Sequence, residues 1–203
     1  MMNVTNASIL NSTYEAISEL VKEFRDAPYM YLYESDIQSI LFAKIKERVP
    51  NKITIIGSDS PCKEYDLSIV NTEYLSRIDI ACIDVERVSA VEISKHKGCD
   101  IHIYKLPVHI GIEIKYRKMG DRFGITSCVS DLEKLNNLNI TCPIVLGFIQ
   151  NDSDIDNFIA DIPDTYNLTE VSDINTESKA HIISPSTTWM LTHRIKGDGG
   201  IKK

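Results

Sequence analysis

The chain has no excess of positive charge: 29 acidic residues against 22 lysines and arginines give a formal net charge of −7 over 203 residues. Proteins that grip nucleic acid unaided draw much of their affinity from phosphate neutralisation, so any such footprint here is local. The five cysteines, Cys62, Cys82, Cys99, Cys128 and Cys142, form no CxxC pair and no zinc-ligand spacing. Zinc-finger and disulfide-stapled scaffolds are thereby excluded, and a reducing, cytoplasmic setting is expected. No apolar stretch approaches the roughly 18 residues of a membrane span. Met1-Met2-Asn3-Val4-Thr5-Asn6 lacks the charged start and apolar middle of a secretory leader, so neither a membrane partner nor export is expected. Gly120-Asp121-Arg122-Phe123-Gly124 has no Gly-Lys-Ser/Thr sequel and reads as a loop rather than a phosphate cradle. The histidines, His96, His102, His109, His181 and His193, are scattered with none paired at i, i+4, and no serine lies in a nucleophile elbow.

What is present is 43% hydrophobic residues, enough for one α/β domain with a sizeable core and an appended segment. Ile9, Ile17, Leu20, Val21 and Phe24 mark a first amphipathic helix over 9–25, broken by Pro28. Ile37, Ile40, Leu41 and Ile45 follow helical spacing in a second, over 33–49, ended by Pro50. Short strands are expected at 53–56 and 65–70, joined by a polar turn at 57–61. Further strands are expected at 88–93 and 101–106, around a turn at 95–100. Ile125, Val129, Leu132, Leu135 and Leu138 predict a helix over 126–139, and the apolar run 143–149 a strand buried on both faces. Strand, crossover helix and strand make a right-handed unit with the strands parallel. A short helix is expected at 155–162, loop-rich acidic chain at 163–180, edge strands at 181–183 and 188–194, and a flexible end.

Two strands carry charges where core residues belong. In Ile112-Glu113-Ile114-Lys115-Tyr116, after the apolar run 107–111, successive side chains alternate between faces, so Glu113 and Lys115 share one face. Buried carboxylates and amines are costly unless paired or metal-bound, so this face predicts a site. Upstream, Asp79 interrupts the strand-like run 76–83. If the strands are neighbours, Asp79 and Glu113 offer two oxygens to a hard divalent cation, with Lys115 alongside. Mg²⁺ suits such a place because it commonly uses one or two carboxylates and completes its octahedron with water and phosphate. Glu34, at the start of the second helix, can reach over the sheet toward the same cation; helix capping by Glu34, Ser35 or Asp36 is the alternative.

A helix bearing Glu34, a strand bearing Asp79, a strand bearing Glu113-x-Lys115, then a helix and a strand, resembles the PD-(D/E)XK nuclease superfamily over about residues 30–150. The resemblance implies a restriction-endonuclease-like αβββαβ core, a three-layer α/β fold with a mixed central sheet flanked by helices. Asp79 and Glu113 would bind Mg²⁺ (or Mn²⁺), Lys115 would be the catalytic lysine, and Glu34 the helical acid supporting the metal. Gln38 and Tyr116 follow as neighbours contacting substrate or water; separately, Arg77 and Arg117 belong to a cluster of basic residues in sequence around the proposed site and are expected to contact substrate. Asp79 follows Ile78 where the superfamily's namesake motif has proline, and the long interval from Asp79 to Glu113 is accounted for by an inserted hairpin. The expected organisation is an amino-terminal helix over 1–28, a nuclease-like core over 29–150, and a carboxy-terminal extension of the same domain over 151–203. The implied function is Mg²⁺-dependent hydrolysis of nucleic acid, DNA in the first instance, with a homodimer or larger nucleoprotein complex as the assembly. The alternative is a non-catalytic domain of this type that binds nucleic acid or assembles with a partner.

Overall fold

The computed structural model describes residues 4–56, 64–75, 77–88, 95–96, 99–100, 106–174 and 179–194. Helix α1 (Asn6–Asp26) starts at Thr5, whose hydroxyl accepts the Ser8 N–H, and buries Ile9, Thr13, Ala16, Ile17, Leu20, Val21 and Phe24 at helical intervals. A 3-10 turn at Pro28–Met30 separates it from α2 (Glu34–Arg48). Helix α2 buries Ile37, Leu41 and Ile45; Ile40, expected on the same stripe, is 37% exposed because it lies round the helix from that line. Lys44 bridges Glu19 and Glu23 and Arg48 meets Glu19, lashing α2 to α1.

Strands β1 (Lys52–Ile56) and β2 (Glu64–Ser68) form a separate antiparallel pair; the turn expected at 57–61 lies outside the described residues. The main sheet has seven strands: β3 (Val70–Tyr74), β4 (Ile78–Ile83), β7 (Val108–Arg117), β8 (Cys142–Ile149), β9 (Tyr166–Val171), β10 (Ala180–Ile183) and β11 (Thr188–His193), in the order β3-β4-β7-β8-β10-β11-β9. β3, β4 and β7 run as an antiparallel meander, while β8 is parallel to both β7 and β10. Helix α3 (Thr126–Asn137) makes the crossover from β7 to β8. The short α4 (Ile155–Ile159) follows β8.

Each face of the sheet has its own core. On one, Ile110, Ile112, Ile114 and Tyr116 of β7 pack with the buried residues of α1 and α2. On the other, Val145 and Ile149 of β8 pack with Cys128, Val129, Leu132 and Leu135 of α3 and Phe158 of α4. The result is a three-layer α/β arrangement: helices, mixed sheet, helices.

Several expectations change. The stretch 163–180 contains β9, which pairs antiparallel with β11. β10 and β11 are interior strands, and β9 is the edge. Val88 is not in a strand; its N–H closes a helical turn on the Asp84 carbonyl. Of the expected hairpin insertion, the described part is a short antiparallel pair, β5 (Lys95–His96) and β6 (Cys99–Asp100), inside the span expected as its turn. The rest of 88–93 and 101–106 lies almost wholly outside the described residues. The fourth helix stops at Ile159 rather than 162. No helix among the described residues is long and apolar enough to cross a membrane.

Candidate active site

The site lies where β4 and β7 part. Their ladder pairs Ile80 with Ile112 and goes no further toward the end of β7, although the register, counted back by one, sets Asp79 opposite Glu113. Beyond that point side chains satisfy backbone groups of both strands. The Ile114 N–H donates to Asp79 Oδ2 at 2.7 Å, and the Asp79 carbonyl accepts from Gln38 Nε2 at 2.8 Å. Buried backbone groups need partners, so these two bonds stabilise the fork. The end of β3 and the β3–β4 turn beside it place three non-glycine residues, Glu73, Leu75 and Arg77, at positive φ. Such conformations are uncommon outside glycine and persist where surroundings over-determine them. Gln38 Nε2 reaches Glu73 Oε1 at 3.3 Å, and Lys134 Nζ donates to the Arg77 carbonyl at 3.1 Å, which anchors the turn from both sides.

Alternation along β7 turns Glu113 and Lys115 toward α3 while Ile112 and Ile114 enter the opposite core. Glu113 is 2% exposed, and its Oε1 accepts from Lys134 Nζ at 2.7 Å. Lys115 Nζ stands 3.0 Å from Asp131 Oδ2 and 3.9 Å from Glu34 Oε1. Asp131 and Lys134 lie at i, i+3 on α3, the spacing that sets two side chains on one helix face. That face meets the strand's two charges with two of opposite sign.

Burial pushes the Glu113 carboxyl up to about 7; Lys134 opposes the shift, and Asp79 and Asp131 add to it. Asp79 is raised chiefly by burial, which outweighs the Ile114 N–H and Lys115. Glu34 is raised by burial, against the pull of Lys115 and the Tyr116 N–H. Burial alone would lower the Lys115 ammonium, but Glu34, Asp131 and Asp79 together hold it above its ordinary value. Four carboxylates, Glu34, Asp79, Glu113 and Asp131, thus surround two ammonium groups, Lys115 and Lys134.

The sequence-derived residues divide. Asp79, Glu113, Lys115 and Gln38 meet at the fork. Glu34 is close, but its Oε2 accepts the Tyr116 N–H at 3.1 Å. Capping of α2 falls to Asp36, whose Oδ2 accepts from Leu32 and Tyr33 N–H groups at 2.8 and 2.9 Å. No group of three or more histidine, cysteine or acidic side chains stands close enough among the described residues to hold a metal between them. The all-oxygen pair Asp79 and Glu113 suits the one-or-two-carboxylate habit of Mg²⁺. Tyr116 faces the α1 side, with its hydroxyl donating to the Tyr31 carbonyl at 2.7 Å and its ring edge-on to Phe24. Arg117 is 6% exposed; its guanidinium donates to the Phe123 carbonyl, pairs with Asp154 at 3.7 Å and lies over Phe158, so it braces the loop before α3 against α4. Arg77 is exposed at the turn.

Asp131 and Lys134 are functional candidates that the strand pattern alone does not reveal. Their i, i+3 spacing is visible in the sequence, but only the docking of α3 on β7 gives them partners. Comparison with protein-family models, with curated proteins and with solved structures returns no match.

Proposed function

We propose that the chain is a divalent-cation-dependent nuclease with a restriction-endonuclease-like core, hydrolysing phosphodiester bonds of nucleic acid, DNA in the first instance. The observation that carries this reading is the β4–β7 fork, with Asp79 bonded to the Ile114 N–H across from Glu113 and Lys115 two residues further along. The order α2, the antiparallel meander β3-β4-β7, crossover helix α3 and parallel β8 supports it, because it is the αβββαβ succession expected of that core.

Asp79 and Glu113 would hold Mg²⁺, which when bound supplies Lewis-acid polarisation of the phosphate and a water of lowered pKa. Lys115, kept charged by Asp131 and Glu34, offers a fixed donor to the attacking water or a non-bridging oxygen. Gln38 fixes the Asp79 backbone, so the carboxylate is held from two directions. At the rim, Tyr29 and Tyr33 are exposed and Lys118 Nζ stands 4.8 Å over the Tyr33 ring, giving faces on which bases can stack beside cations for phosphate.

One observation favours a second reading. Glu113 and Lys115 are both already ion-paired with α3, as they would be in a brace within a non-catalytic binding or assembly domain.

Mg²⁺-dependent cleavage of supercoiled plasmid, linear duplex and single-stranded oligonucleotides separates the two. Wild-type protein should cut at least one substrate and lose activity in EDTA. Lys115→Ala should lower the rate by about 10²–10³-fold, the usual loss for a preorganised charge at a reacting centre. A wild-type protein that cuts nothing and binds no Mn²⁺ would leave the brace as the better account.

A further inference from the structure

Lys134 has two partners that belong to the fork: Glu113 Oε1 at 2.7 Å and the Arg77 carbonyl at 3.1 Å. Its side chain is 32% exposed while that of Glu113 is 3% exposed, so the ammonium approaches from the solvent side of a buried carboxylate. A buried carboxylate without a counter-charge is strongly disfavoured, and here the counter-charge is a single flexible lysine. Lysine is a mobile point charge on a four-carbon stem, unlike arginine with its rigid fork.

We infer that Lys134 is the resident counter-cation of the candidate metal site: it occupies Glu113 Oε1 before a divalent cation arrives, and yields that oxygen when one binds. This rests on the reading of Asp79 and Glu113 as ligands, and adds to it a residue outside the strand motif that sets cation affinity. The Arg77 carbonyl gives Nζ a partner to keep after the exchange, so release of Glu113 does not strand the ammonium. Asp131 stands three residues earlier on the same helix face and keeps Lys115 in place meanwhile, so the exchange concerns Lys134 alone.

Removing a residue that stabilises a buried acid should here have an unusual effect: metal binding should become stronger. Competition disappears, and so does repulsion between an ammonium and the incoming cation. Isothermal titration of the full chain with Mn²⁺ should show Lys134→Met binding roughly tenfold tighter than wild type, the scale of one charge-assisted hydrogen bond. Lys134→Arg retains the charge in a rigid fork that yields Glu113 less readily and should bind no more tightly than wild type, while Glu113→Gln should abolish binding in either background. Thermal unfolding supplies the second readout. In EDTA, Lys134→Met should melt below wild type because Glu113 is left uncompensated; saturating Mn²⁺ should raise its Tm by more than it raises that of wild type.

Unchanged or weaker Mn²⁺ affinity in Lys134→Met, with wild type binding normally, would overturn the inference and leave the ligand assignment standing. Absence of binding by both proteins would overturn the ligand assignment and the inference with it. A Lys134→Met protein that melts lower by the same amount with and without Mn²⁺ would mark the lysine as a plain structural partner and refute the exchange.

Discussion

At Glu113, burial pushes the carboxyl up to about 7 from an ordinary value of 4.5, against the pull of Lys134. Between those values the folded chain holds a proton that the unfolded chain has released, so stability falls as pH rises across that window and the loss is complete above about 7. The expected loss is on the order of 3 kcal/mol, since each tenfold change in proton affinity is worth about 1.4 kcal/mol. Urea unfolding in EDTA at a series of pH values should show this slope in wild type and a shallower one in Glu113→Gln, where the raised Asp79 and Glu34 remain; identical slopes would contradict the burial argument. Mn²⁺ should flatten the wild-type slope, because a bound cation compensates the ionised form. Asp79, Glu113 and Lys115 were legible in the sequence since each breaks an apolar strand pattern. Which acid caps α2 was not, because Glu34, Ser35 and Asp36 all stand in the first turn; geometry assigns the Leu32 and Tyr33 N–H groups to Asp36 and leaves Glu34 for β7.

At the scale of elements, everything at the site depends on how closely α3 lies on β7 and β8. Gly147, which pairs with Lys115 in the parallel register, permits this approach: a Cβ there would stand 2.9 Å from Ile182 Cδ1 and 3.0 Å from Cys128 Sγ of α3. Gly147→Ala should therefore destabilise by about 1–3 kcal/mol, the usual cost of overpacking. By shifting α3 it should also loosen the Asp131–Lys115 pair. An unchanged urea midpoint would show that the helix has slack. The helices and β7 and β8 were readable from periodicity and apolar runs. β9 was not: Tyr166-Asn167-Leu168-Thr169-Glu170-Val171 mixes polar and apolar residues as an edge strand does, and only pairing with β11 makes it one. β3, Val70–Tyr74, was missed beyond Val70, which joins the strand expected over 65–70 because the break is a single residue, Ile69, while Asn71-Thr72-Glu73 carry no apolar pattern. The fork was equally invisible, because it consists of hydrogen bonds that end a ladder.

For the molecule as a whole, the strands after residue 150 complete the sheet that carries the site. β10 pairs in parallel with β8 from Val145↔Ala180 to Phe148↔Ile183, and β11 and β9 extend the sheet beyond it. A chain truncated after residue 150 would expose β8 as a long, apolar, unpaired edge, a template for aggregation. It should be insoluble or lack cooperative unfolding by circular dichroism; a soluble, cooperatively folding fragment would contradict this. The sequence showed that this segment holds strands but put them at the margin, since parallel pairing across a crossover leaves no local mark. The central proposal is that Asp79 and Glu113, brought together where two strands part, would share one hard cation. Anomalous diffraction at the manganese edge from crystals soaked in Mn²⁺ tests it most directly. The account predicts a single strong peak bridging the two carboxylates, with Lys134 withdrawn from Glu113. A peak elsewhere, or none while Lys134 keeps its place on Glu113, would contradict it.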